Sequence, residues 1–243
     1  MHTKQKILSP PFFWKIPLIL FLLILPFSAS IDLATSSFFL GEHGRFQAPD
    51  WCWTVYRYGL RPGQLLFIGS CALFAIGILI RKRTLWISTL YLSLTLLVGS
   101  GIIGHGVLKR FWQRPRPKQV TLFGGSYPFC PIYTRYIGPA DRHLRSLPSG
   151  HATMGFYFFS LYFLGRRMRR RWIKIAGLLT ACGMGALLAW ARLSQGGHYL
   201  SDIATSALIM WLTAYWLDRI FAWDPTQEER VHGTSYTETA PTL

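Results

Sequence analysis

The sequence predicts an all-α fold, a bundle of six membrane-spanning helices with both termini in the cytoplasm. Three observations lead there. Charged residues make up 15% of the 243-residue chain, against about 25% in an ordinary soluble domain. Hydrophobic residues make up 51%, and mean hydropathy is positive. The apolar residues are also gathered into six runs, and a membrane helix needs about 20 mostly apolar residues in succession. One domain over residues 1–223 takes up every run, and the polar, aperiodic residues 224–243 read as a disordered tail.

The runs cover residues 16–30, 65–80, 85–108, 152–164, 173–191 and 203–221. Lys4 and Lys6 precede the first, and Ser28, Ala29 and Ser30 near its end also fit a cleaved leader. Apolar sequence continues beyond them and the count of six is coherent without a cut, so the run is read as a span. The connection that follows carries Trp51, Trp53, Tyr56 and Tyr58, aromatic residues of the kind that settle at headgroup level. The second and fourth runs are short. The fourth reaches full length if it starts at Ser149 and if Arg166 and Arg167 extend their charged ends toward the headgroups. Cys71 and Cys182, inside apolar runs, read as buried packing residues. Cys52 and Cys130 lie in polar connections and would be able to pair if both are exported. No cysteine shows metal-ligand spacing.

Basic residues set the orientation. Lys4, Lys6 and Lys15 precede the first run, Arg81, Lys82 and Arg83 separate the second from the third, and Arg166 to Lys174 separate the fourth from the fifth. These segments share one face, expected to be cytoplasmic. The opposite face should be poor in Lys and Arg, yet it carries Lys109, Arg110, Arg114, Arg116, Lys118, Arg135, Arg142, Arg145 and Arg192. The net charge of +16, from 26 Lys and Arg against 10 Asp and Glu, suits nucleic acid, an anionic membrane or a phosphorylated substrate. Cations held at the exported ends of membrane spans argue for a phosphorylated membrane lipid and against nucleic acid.

Three polar clusters fall on that face. Residues 109–117 (KRFWQRPRP) end the third run, 147–151 (LPSGH) open the fourth, and 192–202 (RLSQGGHYLSD) join the fifth to the sixth. Lys109, Arg116 and Arg192 supply three cations, and arginine's planar fork matches phosphate oxygens. Ser149 can cap a helix start and Gly150 lets a ligand approach the backbone there. Taken singly, each feature has an ordinary explanation: an interfacial anchor, a helix start, a structural hydrogen bond. Their coincidence at one surface reads as a phosphate pocket. His198 and Asp202, four apart on one helical face, fit an oriented nucleophile in which the carboxylate takes the proton of one ring nitrogen and the other attacks. His151 is placed to protonate a leaving oxygen, and the cations to stabilise the charge of phosphoryl transfer. The set is complete without a metal or other cofactor.

Lys-x6-Arg-Pro from Lys109, Pro-Ser-Gly-His from Pro148 and Arg-x5-His-x3-Asp from Arg192 together resemble the three signatures of the type 2 phosphatidic acid phosphatase superfamily. The resemblance implies a six-helix membrane phosphatase with its active site at the periplasmic face of a bacterial inner membrane, acting through phosphohistidine and then water. By it, Lys109, Arg116, Ser149, Gly150 and Arg192 hold the phosphate, His198 attacks, Asp202 orients it, and His151 is the acid. One departure is visible: the third motif usually begins Ser-Arg, and here reads Ala191-Arg192. Soluble members of the superfamily bind vanadate and act as haloperoxidases, which six apolar runs argue against. The stretch from Arg114 to Pro117 followed by Phe123-Gly124-Gly125 is similar to members that trim lipid A, and the further cations Arg135, Arg142, His143 and Arg145 suit a large, multiply anionic headgroup. Lipid A is therefore the favoured substrate. Undecaprenyl pyrophosphate hydrolysis and lipid-to-lipid phosphoryl transfer are the alternatives, and a non-catalytic lipid binder leaves His198 and Asp202 unexplained.

Overall fold

The computed structural model describes residues 12–221, except 42, 140 and 142. Lys4, Lys6, Arg142 and the tail 224–243 lie outside the described residues. In chain order the helices are α1 (Lys15–Ile24), α2 (Ser28–Phe38), α3 (Asp50–Tyr58), α4 (Arg61–Leu79), α5 (Arg83–Leu96), a π-helical segment (Leu97–Leu108), α6 (Lys109–Trp112), α7 (Gly150–Phe156), α8 (Phe159–Arg167), α9 (Arg171–Ser194) and α10 (Leu200–Phe221). Among the described residues there is no strand, only two isolated bridges.

Among the described residues, five helical runs are long and apolar enough to cross a membrane: Lys15–Phe38, Asp50–Leu79, Arg83–Gln119, Arg171–Ser194 and Leu200–Phe221. The fourth expected run is divided at Tyr157 and Phe158 into α7 and α8, each too short to count alone. Spans one and two are longer than expected, because α2 continues the first past Ser30 and α3 leads into α4.

Helix α10 occupies the centre, against α5, the π-segment, α7, α8 and α2, while α9 packs along α7, α8 and α3. Lipid supplies no hydrophobic drive between helices, so close approach of small residues and interhelical hydrogen bonds hold such bundles together. Both occur here. A Cβ on Gly155 of α7 would lie 2.8 Å from the Gly185 backbone of α9, so the helices touch because neither residue has a side chain at that point. Ser100 Oγ and Thr153 Oγ1 are 2.7 Å apart, Tyr91 donates to Ala214 O at 3.1 Å, and Tyr157 donates to Leu92 O at 3.0 Å. The outside is the apolar side, with Leu79, Leu65, Leu179 and Ile220 largely exposed, as expected of a surface solvated by lipid.

Three expectations change. Cys71 and Cys182 are exposed, because an apolar span needs no protein neighbour on its lipid side. Cys52 and Cys130 are both buried and free; Cys52 Sγ instead receives the Ser194 hydroxyl at 3.4 Å. Arg167 does not reach outward. It is buried and pairs with Asp218 of α10 at 2.6 Å, since a carboxylate within the bundle offers it a partner that the headgroups would otherwise provide.

Candidate active site

The three clusters meet at one end of the bundle. The π-segment delivers Lys109, and within it His105 Nδ1 lies 2.8 Å from Ser100 O, five residues back, matching the wider turn. Helices of this kind are rare and concentrate at functional sites. His105 Nε2 then accepts from Lys109 Nζ at 3.2 Å. That pairing directs the ammonium to Gly150, where a Cβ would stand 3.3 Å from Nζ.

Ser149 caps α7, its Oγ accepting from Ala152 N at 3.3 Å, and its own N–H donates to Ser206 Oγ of α10 at 3.0 Å. The start of α7 is thereby fixed to the central helix. Next in the chain, His151 stacks on Tyr56 at 4.6 Å between ring centroids, with Nε2 3.2 Å from Tyr56 O. Arg192 packs against the same Tyr56 ring, with its guanidinium 4.8 Å from the centroid, and Nη1 donates to Gln195 Oε1 at 2.6 Å. Gly197 leaves room for this arginine, since a Cβ there would run into Nη2. Arg116 and Arg192 stand close enough for their charges to act on both Lys109 and His198. Among the described residues no carboxylate pairs with any of them, and the buried Nε atoms of Arg116 and Arg192 have no hydrogen-bond partner.

His198 is buried, and its Nδ1 lies 2.6 Å from Ser146 O but 3.7 Å from Asp202 Oδ2. The ring proton therefore goes to the Ser146 carbonyl, not to the carboxylate as the spacing suggested. Burial holds the ring well below the usual histidine value, at about 3; Asp202 opposes this, and the charges of Arg192 and Arg116 add to it. The imidazole is neutral, with Nδ1 committed as donor and Nε2 left with its lone pair.

Asp202 is fully buried. Its Oδ2 accepts the Ser146 hydroxyl at 2.5 Å and Tyr199 N–H at 2.9 Å, and its Oδ1 accepts Arg114 Nη1 at 2.7 Å. Arg114 in turn donates Nη2 to Asp32 Oδ2 at 2.7 Å and Nε to Cys130 O at 2.8 Å, and stacks 4.2 Å from the Tyr199 ring centroid. Arg114 and Asp32 are both wholly buried, and Asp32 also accepts the Ser201 N–H and hydroxyl. One arginine thus joins α2, the first motif and α10.

All eight candidate residues come to this end of the bundle. The sequence reading missed Asp32, His105, Ser146 and the special position of Arg114. Asp32 did carry a signal, a lone carboxylate within a span, which needs a partner to persist there. Ser146 carried none, because its carbonyl and hydroxyl acquire their roles only through the folded connection.

Residues 88–225, more than half of the chain and enclosing all three motifs, match the PAP2 superfamily. A lipid A 4'-phosphatase of Francisella tularensis subsp. novicida (strain U112) is 28% identical over 152 residues, covering 62% of this chain and 64% of that protein. A lipid A 4'-phosphatase of Rhizobium leguminosarum is 32% identical over 120 residues, covering 49% and 47%. The chain thus matches between about half and two thirds of the length of these curated relatives. No solved structure matches it. The extent of the family match, running through the residues that the fold gathers at one end of the bundle, places this chain in the PAP2 superfamily.

Proposed function

We propose that the protein is a membrane lipid phosphatase that hydrolyses a phosphomonoester or pyrophosphate on a lipid headgroup, with lipid A as substrate, through a phosphohistidine on His198. The observation that carries this reading is a neutral, oriented imidazole near three cations that have no carboxylate partner among the described residues. Phosphate would balance this charge, and it meets the geometry of two arginine forks and one ammonium. The relatives named as lipid A 4'-phosphatases support the substrate.

In this mechanism Lys109, Arg116 and Arg192 bind the phosphate oxygens beside Ser149 and Gly150. His198 Nε2 attacks phosphorus, and a P–N bond forms as the P–O bond to the lipid breaks. His151 gives its proton to the departing oxygen, which leaves as an alcohol or a phosphate. An arriving dianion offsets the surrounding positive charge and so favours the protonated His151 ring that this step needs. The His198 ring becomes cationic when Nε2 is phosphorylated, and Asp202 at 3.7 Å stabilises it while Ser146 O keeps the Nδ1 proton. Water, deprotonated by His151, then attacks phosphorus, the P–N bond breaks, and inorganic phosphate leaves. In this reading the protein's own cations do the work of charge stabilisation, and no metal takes part.

The same proposal places the protein in a bacterial inner membrane. Six spans, the interrupted α7–α8 pair being the fourth, put both termini in the cytoplasm and the site at the periplasmic face. A reporter fused after Phe221 is expected to read as cytoplasmic, and a periplasmic signal would invert this topology.

Phosphate release by the detergent-purified protein, compared on lipid A and undecaprenyl pyrophosphate, tests the reading. Release from lipid A that survives EDTA is expected. Release only from undecaprenyl pyrophosphate would move the protein to carrier-lipid recycling, a newly phosphorylated second lipid would make it a transferase, and EDTA inhibition reversed by a divalent ion would overturn metal independence.

A further inference from the structure

The connection between the first two motifs folds back over the end of the bundle that holds the site. Val120 and Leu144 are wholly buried, Lys118 N–H donates to Gly196 O at 3.1 Å, and Ser146 N–H donates to Arg114 O at 3.0 Å. In this cover lies a cleft of about 340 Å³ lined by Arg116, Lys118, Gln119, His143 and Arg145. Gln119 holds its walls together: Oε1 accepts from Arg116 N–H at 2.9 Å, and Nε2 donates to His143 O at 3.5 Å.

Every titratable residue of the lining is basic. The nearest carboxylate in sequence, Asp141, is already engaged by the Tyr127 hydroxyl at 2.5 Å and by the His143 N–H at 2.7 Å. Among the described residues no carboxylate pairs with Arg116, Lys118 or Arg145. Like charges held together without counter-charge repel one another and would be relieved by an anion. The cleft also adjoins the reaction pocket. Arg116 belongs to both, and the charge of Arg145 acts on Lys109.

We propose that this cleft is a second anion subsite, which takes a second phosphate carried by the same lipid headgroup while the first sits beside His198. The inference rests on the lipid phosphatase reading and narrows it to a bis-phosphorylated headgroup. Lys118 and Arg145 are exposed side chains outside the reacting set, so their role is to select and position substrate. Charge-assisted contacts of this kind act on binding, not on the chemical step.

The test uses a bis-phosphorylated glycolipid and its mono-phosphorylated counterpart, which keeps only the transferable phosphate. In the Lys118→Ala/Arg145→Ala protein, KM for the bis-phosphorylated lipid is expected to rise about 10-fold or more. Its kcat, and both constants for the mono-phosphorylated lipid, should stay within about 2-fold. Binding of the two lipids is measured in parallel on His198→Ala protein with and without these two substitutions. The preference for the bis-phosphorylated lipid should be present in the first and absent in the second. Phosphate release with an unchanged lipid preference in the double variant would overturn the subsite alone. A preference that depends on Lys118 and Arg145, in a protein that releases no phosphate, would overturn the phosphatase reading alone.

Discussion

His198→Ala is expected to lower phosphate release by about 10⁴-fold or more, the scale on which loss of a covalent nucleophile acts, while leaving the protein folded. The side chain makes one hydrogen bond, to Ser146 O, so its removal opens a cavity but leaves no buried charge newly unpaired. Thermal unfolding in detergent should shift by only a few degrees, and KM for the lipid should change less than kcat. A folded variant that keeps turnover would sink the phosphohistidine mechanism. The ring's ionisation gives a second check on the same residue. The attacking form is the neutral one, and the folded ring titrates at about 3, so the competent form is lost only as pH falls through that value. In protein carrying ¹³C-labelled histidine, the resonance that disappears in His198→Ala should stay in its neutral position down to about pH 4. A midpoint near the ordinary histidine value of about 6.5 would contradict the burial on which the reading depends.

Arg114→Ala should be the most destabilising single substitution at this end of the molecule. Arg114, Asp32 and Asp202 are all wholly buried, with both ion pairs at 2.7 Å. Removing the guanidinium leaves two carboxylates without a cation in a low-dielectric interior, where breaking a buried pair costs about 3–5 kcal/mol. The consequence reaches the chemistry because Asp202 also holds Ser146 and the Tyr199 N–H, and Ser146 O orients His198. Asp32→Asn keeps Arg114 and Asp202 as a balanced pair and should cost less, about 1–3 kcal/mol. Arg114→Lys should not rescue, because a compact ammonium cannot span Asp32, Asp202 and Cys130 O as the spread guanidinium does. Unfolding temperature and turnover of the three variants decide it. An Arg114→Ala protein as stable and active as the parent would show that the triad neither supports the fold nor positions the site.

The membrane character and the eight candidate residues were legible because they rest on composition and local spacing. A run of apolar residues is long enough for a helix whatever surrounds it, and Lys109, Ser149 and His198 stand in motifs whose members are close in sequence. The π-segment was not legible, because an apolar, glycine-rich run reads the same with either turn, and neither was the break at Tyr157 and Phe158 that divides the fourth run. The fates of two neighbouring arginines make the limit plain. Arg114 and Arg116 share one motif, yet Arg114 is consumed by Asp32 and Asp202 while Arg116 faces the pocket and the basic cleft.

By itself, then, the sequence determined an all-helical, apolar chain with cations and two histidines gathered on one face, since these follow from which residues are present and how far apart they stand. Only the tertiary structure decided which groups they meet: Ser146 O instead of Asp202 as the partner of the His198 ring, a buried carboxylate for Arg167, and no disulfide between Cys52 and Cys130. The physical reason is one of range. Hydrogen bonds and ion pairs are decided by about 1 Å, and that difference is set by how distant segments pack.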